Sequence, residues 1–116
     1  MSPAPHDRMR RVNSIVRHIL AGEVEMLKDP RLELVTITGV DTAPNLRSSV
    51  VYFSMLDLSD TEAARSALQS AAPRLRRALG RQVRMKYTPT LAFELDQGVA
   101  RGDRIDGLLR GLTEEE

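Results

Sequence analysis

The stretch SDTEAARSALQSAAPRLRRALG, residues 59–80, decides the fold of this chain. Its apolar residues recur every three or four positions, which is the spacing of one buried helical face. They are Ala64, Leu68, Ala71, Leu75, Ala78 and Leu79. Ser59 and Glu62 stand at the spacing of a capping box, in which each side chain accepts a hydrogen bond from the other's backbone amide. Pro73 has no amide hydrogen, so the sequence predicts two helices that share one core and meet at a kink. The kink is assigned to Ala71, Ala72 and Pro73.

The charges around and after this kink have one sign. Residues 63–93 contain seven basic residues and no acidic residue. Four arginines repeat at helical spacing on the side opposite Leu75 and Leu79: Arg74, Arg77, Arg81 and Arg84. A solvated helix face usually mixes both signs, because opposite charges four residues apart stabilise a helix. A stripe of one sign therefore favours a polyanionic partner. The sequence leaves open whether Gly80 lies inside the second helix or ends it, in which case the last two arginines leave the stripe.

Length and composition exclude several classes of protein. A chain of 116 residues suits one domain, and the lack of cysteine excludes disulfides and thiolate chemistry. No apolar run approaches the roughly 18 residues of a membrane span, and the first residues lack the apolar region of a signal peptide, so a cytoplasmic location is expected. The net charge of +1 conceals segments of opposite sign. Residues 1–22 carry +3, residues 23–62 carry −5, residues 63–93 carry +7 and residues 94–116 carry −4. Such polarisation would turn one face toward nucleic acid.

The remaining elements complete a helix, strand, strand, helix, helix, strand order. Asp7 is the predicted N-cap of a first helix whose apolar face comprises Val12, Ile15, Val16, Ile19, Leu20, Val24 and Leu27. Alternating β-rich runs predict strands at residues 32–41, 49–56 and 91–96, the first two joined by a turn into an antiparallel hairpin. A short helix at residues 104–112 and an acidic tail would follow. This order is the one known for type II KH domains, an α+β fold with helices on one face of a three-stranded sheet. We expect a loose arm at residues 1–7, the KH-like RNA-binding domain at 8–97 and a C-terminal extension at 98–116.

These residues resemble the bacterial ribosome-binding factor A proteins over nearly the whole chain. The matching motifs are Lys28-Asp29-Pro30-Arg31-Leu32, Val35-Thr36-Ile37-Thr38-Gly39-Val40, Val50-Val51-Tyr52-Phe53-Ser54, Leu75-Arg76 before Leu79-Gly80, Pro89-Thr90-Leu91-Ala92-Phe93-Glu94-Leu95-Asp96 and Gly102-Asp103-Arg104-Ile105 with Leu108-Leu109. Each motif alone is weak, and their order and spacing together are specific.

The resemblance implies a KH-like fold in which an Ala-x-Gly helical kink replaces the GXXG loop. Here Ala71-Ala72-Pro73 stands at that place, so the alanine is kept and the glycine is replaced. The resemblance also implies binding to the immature 30S small ribosomal subunit, near the helix formed by the 5′ end of 16S rRNA. The implied role is non-catalytic ribosome biogenesis, in late rRNA processing and with particular need in cold shock. The expected partners are 16S rRNA and neighbouring ribosomal proteins, bound by a monomer; the involvement of an assembly GTPase is left open.

The residues themselves indicate an RNA-binding surface and no active site. The RNA-binding candidates are Arg8, Arg10, Arg11, Arg74, Arg76, Arg77, Arg81, Arg84 and Lys86. No GxSxG, HExxH or GxxxxGK[ST] motif occurs, and the two histidines, His6 and His18, are scattered, so neither catalysis nor a metal or other cofactor is expected. The alternative is an α+β protein-interaction module whose basic face binds an acidic protein. Loss of ribosome association after ribonuclease treatment would separate the two.

Overall fold

The structure, a computed structural model, describes residues 5–98 of the chain. Two long helices and three strands follow in the order α1 (Pro5–Met26), β1 (Val35–Thr42), β2 (Ser48–Met55), α2 (Thr61–Gln82) and β3 (Thr90–Leu95). Single 3₁₀ turns precede β1 at Pro30–Leu32 and α2 at Leu58–Asp60. The predicted short helix at 104–112 and the acidic tail lie outside the described residues. Among residues 5–98, no helix combines the length and the apolarity that crossing a bilayer requires.

The sheet has the order β1-β2-β3. β1 and β2 form the predicted antiparallel hairpin, with a bulge between Ile37 and Gly39. β3 lies parallel to β2, so that Phe93 is paired with Val51. A parallel neighbour needs a long crossover connection, which α2 and its flanking loops provide. The α+β architecture with a three-stranded sheet is therefore confirmed.

One face of the sheet packs against both helices. α1 contacts β1, α2 contacts β3, and the two helices contact each other. The core comprises alternate residues of the strands and one face of each helix: Val16, Leu20, Val24, Ile37, Val51, Phe53, Leu68, Leu75, Leu79, Leu91 and Phe93. In β2 and β3 the inward-facing residues include Val51, Phe53, Leu91 and Phe93. Ile15, predicted to face the core, is 41% exposed, because the buried stripe of α1 passes through Val16 and Leu20 instead.

The predicted break at Pro73 is absent. α2 is one helix of 22 residues with Pro73 inside it, so the interpretation as two separate helices is wrong. Proline removes one backbone hydrogen bond, to the carbonyl of Gln69. Leu68 and Ala72 before the proline and Leu75 after it are all buried in the same core, so both halves of α2 pack against it. Gly80, whose place was open, also lies inside α2.

Both predicted helix starts are displaced. The carboxylate of Asp57 accepts a hydrogen bond from the backbone amide of Ser59 and so stabilises the 3₁₀ turn. Because of this turn, α2 starts at Thr61. The capping box at Ser59 is therefore wrong; no side chain caps α2 at Asp60. α1 includes Pro5, so Asp7 lies in its first turn and is not the N-cap, and residues 5–7 of the predicted arm are helical. An aspartate in the first turn still favours the helix through the helix dipole.

Asp96, at the end of β3, is buried rather than solvent-facing. Strict alternation with the buried Leu91 and Phe93 would place Asp96 on the polar side of the strand, but it is 3% exposed. The hydroxyl of Thr38 in the bulge donates to its Oδ2 at 2.8 Å, and its amide donates to the carbonyl of Phe53 at 2.7 Å. Burial of a carboxylate is tolerated where hydrogen bonds satisfy it.

Candidate nucleic-acid interface

The second half of α2 carries the predicted arginines on its exposed side. Arg74, Arg77 and Arg81, which we call the arginine stripe, are all exposed, whereas Leu75 and Leu79 beside them are buried. None of the three forms an ion pair with a residue in the part of the chain that the structure describes. Arg81 lies in the last turn, where a cation is favoured by the helix dipole. The other two have no such local reason to be basic.

Arg76 has a different role from its neighbours. Its side chain is half-buried, and its Nε donates to the carbonyl of Pro89 at 2.9 Å. Its Nη2 donates to the carbonyl of Thr88, also at 2.9 Å. The guanidinium therefore fastens the loop between α2 and β3 to the helix. Two of its five donors are thus occupied within the fold, and its contact with phosphate through the remaining donors stays a prediction.

The last two predicted basic residues lie beyond the helix. α2 ends at Gln82, with Val83 as its C-cap in an extended conformation. Arg84, which was predicted to continue the stripe, therefore lies outside the helix. Lys86 follows in the loop, with its Nζ 5.6 Å from the ring centroid of Tyr87. Both are exposed.

Arg47 is the residue that sequence reasoning missed. Its guanidinium carbon lies 4.0 Å from the centroid of the Tyr87 ring, a cation–π contact between the β1–β2 turn and the loop before β3. The two segments are brought together by the parallel register, in which Ser48 pairs with Thr90. Arg47 belongs to a segment whose net charge is acidic, so its own sequence neighbourhood carried no signal for this contact.

These residues surround an open cavity of about 460 Å³. We call it the Arg47 pocket; it is lined by Arg47, Arg76, Lys86, Tyr87, Thr88 and Thr90. A second groove of about 340 Å³ lies on the other side of Arg76 and Thr88, and Arg77 lines it. The cationic side chains of the turn, of the loop and of α2 therefore meet around Arg76.

The three predicted arginines of α1 are on a separate element. Arg8, Arg10 and Arg11 are exposed, and Arg10 forms an ion pair with Asp7 one turn away. The side-chain oxygen of Asn13 accepts a hydrogen bond from the backbone amide of Thr42 at 2.9 Å, which connects this half of α1 to the end of β1. The turn that bears Arg47 follows directly. The α1 arginines were predicted as a second basic element, and they lie on a different helix from the arginine stripe.

The acidic residues with shifted pKa values lie outside this surface. Side-chain and backbone hydrogen bonds from Arg31 hold the pKa of the Asp29 carboxyl below its usual value. The backbone amide of Ser59 does the same for the pKa of Asp57. Both carboxylates are thus ionised at neutral pH and are occupied within local turns. Neither they nor any other described residues form a cluster of three or more potential metal ligands.

Comparison with known proteins places these features in one family. A family model described as Ribosome-binding factor A matches residues 8–109. A ribosome-binding factor A from Rubrobacter xylanophilus is 46% identical over 110 residues, which cover 94% of this chain and 90% of that protein. The crystal structure of ribosome-binding factor A from Thermus thermophilus is 32% identical, with a TM-score of 0.72 over 77% of this chain and 97% of that chain. A T. thermophilus homology model fitted into a cryo-EM map of a 30S complex is 35% identical, with a TM-score of 0.61 over 71% of this chain and 88% of that chain.

Proposed function

We propose that this chain, which belongs to the ribosome-binding factor A family, binds the small ribosomal subunit as a non-catalytic assembly factor. The observation that carries the proposal is the arginine stripe, which is exposed, of one sign and without an ion-pair partner among the described residues. The T. thermophilus relative supports it, because that protein was fitted into a map of its complex with the 30S subunit.

The arginine stripe suits the phosphates of folded rRNA. Arginine donates two parallel hydrogen bonds to a phosphate, and such contacts position a protein without reading sequence. Selectivity then comes from the shape of the RNA and from neighbouring ribosomal proteins. Each phosphate contact releases condensed counterions, so affinity falls steeply as salt is raised.

The finer role that we propose is the one implied by the family resemblance. The protein would bind the immature subunit near the helix formed by the 5′ end of 16S rRNA, act late in rRNA processing and be needed most in the cold. It would bind as a monomer, and an assembly GTPase would be a candidate for its release.

Sedimentation with immature small subunits tests this function. Wild-type protein should co-migrate with the subunits, and ribonuclease treatment should abolish the association. Replacing Arg77 and Arg81 by glutamate should weaken binding at least tenfold in moderate salt, because phosphate contacts are replaced by repulsion. The matched control, Lys28→Glu with Arg31→Glu, changes the net charge equally on the segment between α1 and β1 and should bind more tightly than that variant.

Two outcomes would contradict the proposal. Equal weakening by both double variants would mean that net charge alone governs association. Association with a defined acidic protein that survives ribonuclease would instead support a protein-interaction module. Circular dichroism on every variant separates loss of binding from loss of fold.

A further inference from the structure

The Arg47 pocket is built by three segments that hydrogen bonds hold in place. The backbone carbonyl of Arg47 accepts two hydrogen bonds from Thr90, one from the backbone amide at 3.0 Å and one from the side-chain hydroxyl at 3.3 Å. These bonds join the β1–β2 turn to β3. Arg76 holds the carbonyls of Thr88 and Pro89 from the other side. Within the turn, the side chain of Asn45 accepts the amide of Arg47 at 3.0 Å. The backbone around the cavity is therefore fixed before any ligand arrives.

The side chains of the pocket concentrate positive charge. Three of its six lining residues, Arg47, Arg76 and Lys86, are cations, and none of the described lining residues is acidic. Like charges that share a small cavity repel one another, and a bound anion would remove that cost. The charge of the pocket thus points to an anionic ligand.

The contact with Tyr87 prepares Arg47 to bind a tetrahedral anion. A guanidinium stacked on a ring uses its flat face for the contact and leaves the N–H groups at its edge available. Those groups match two oxygens of a phosphate. Stacking also restricts a long side chain that would otherwise lose rotamer entropy on binding. Lys86 adds a point charge near the same ring.

The surroundings of the pocket identify the source of that phosphate. Arg76 and Thr88 line both the pocket and the adjoining groove, where Arg77 of the arginine stripe is also found. A polyanion lying along the stripe would therefore reach the pocket without a gap in positive charge. We propose that the Arg47 pocket binds one backbone phosphate of the RNA, with Arg47 as its direct ligand and Tyr87 as the residue that positions Arg47. This rests on the proposed function and extends it to a defined site.

Variants of Arg47 test the direct contact. Binding to purified immature small subunits is measured across about 50 to 200 mM salt, the range in which counterion release is steep. Arg47→Gln should weaken binding about tenfold and lower the slope of log affinity against log salt by about one. Arg47→Lys keeps the charge without the planar donor pair, so it should keep most of the slope and lose part of the affinity. Arg31→Gln is the matched control, since Asp29 already pairs with that guanidinium.

Variants of Tyr87 test the positioning role. Tyr87→Leu should weaken binding nearly as much as Arg47→Gln, and Tyr87→Phe should restore it because the ring is retained. The double variant Arg47→Gln with Tyr87→Leu should bind no more weakly than Arg47→Gln. In NMR spectra, the Arg47 side-chain signals should show a ring-current shift that Tyr87→Leu removes and that added subunit RNA fragments perturb.

The outcomes separate this site from the proposed function. If Arg47→Gln binds like wild type while Arg77→Glu with Arg81→Glu does not, the phosphate site is refuted and the proposed function stands. If neither variant alters binding, both proposals fail. If Tyr87→Leu acts independently of Arg47, so that their losses add, the positioning role is refuted.

Discussion

The two ends of strand β2 differ in the exposure of their side chains and in their charge. At the end where β2 begins, Arg47 is stacked on Tyr87 and its backbone is bonded to Thr90. At the end where β2 finishes, Leu56 is 86% exposed and Leu58 is 47% exposed. The side chains around the first end come from the turn, from the loop before β3 and from α2, whereas the exposed leucines of the second lie in one contiguous segment, residues 56–62.

Their charges are opposite as well. The first end collects cations around the Arg47 pocket, and the second contains Asp57, Asp60 and Glu62. Glu62 is already paired with Arg65. Opposite potentials on one small domain orient it as it approaches a polyanion, because one end is attracted while the other is repelled. The difference teaches that a net charge of +1 is compatible with a strongly cationic surface at one end of the domain.

The largest effect on stability is expected from a substitution in the core, which supports both ends of β2. Phe53 lies in the central strand and is fully buried. Phe53→Ala should lower the free energy of unfolding by about 3–5 kcal/mol, through lost transfer energy and a residual cavity. Urea denaturation measures this. Leu56→Ala, three residues along the chain and exposed, is the control and should stay within about 0.5 kcal/mol of wild type; equal losses would mean that the exposed end is packed in solution.

A smaller effect is expected from loosening the cationic end alone. Arg76→Ala removes two hydrogen bonds to the loop carbonyls, and hydrogen bonds from charged donors contribute a net stabilisation of about 1.5–3 kcal/mol each. Because Arg76 is half-exposed, we expect a loss of about 2 kcal/mol in total, with faster amide exchange at Tyr87, Thr88 and Thr90. Arg76→Lys cannot bridge both carbonyls and should recover less than half. Wild-type stability in Arg76→Ala would show that the loop is held by Thr90 alone.

The smallest effect concerns pH at the acidic end. The pKa of Asp57 is lowered in the folded chain by the amide of Ser59, so folding favours the ionised carboxylate. The stabilisation is therefore complete above the ordinary pKa of aspartate and declines as the pH falls through the lowered value. Asp57→Asn should remove this part of the pH dependence below about pH 4 while keeping an acceptor. Thermal unfolding across acidic pH checks it, and an unchanged profile would count against the capping role of Asp57.

Local patterns predicted the elements, and long-range pairing determined the site. The spacing of apolar residues along the sequence reports burial directly. It therefore predicted the hairpin, the inward faces of β2 and β3 and the buried side of α2. The two helix starts were misplaced; at α2 the reason is that the carboxylate of Asp57 captures the amide of Ser59 ahead of the expected cap. Pro73 fits within α2 because core contacts on both sides outweigh one missing hydrogen bond.

The site was predictable to the extent that it lies on one helix. The arginine stripe follows from helical spacing, so its exposure could be anticipated. The internal role of Arg76 depends on loop carbonyls whose positions no spacing rule gives. Arg47 approaches Tyr87 through the parallel pairing of β2 with β3, a contact between segments distant in sequence.

That parallel pairing has a consequence for how the protein folds. Arg47 and Thr90 are 43 residues apart, so their contact requires a long loop to close, whereas the hairpin of β1 and β2 closes across a short turn. The lower entropy cost of closing a short turn favours early formation of the hairpin, and we expect β3 to dock after it. A chain arrested before that last step would already carry the arginine stripe but would lack the Arg47 pocket. Full affinity for RNA would then be acquired only on completion of folding.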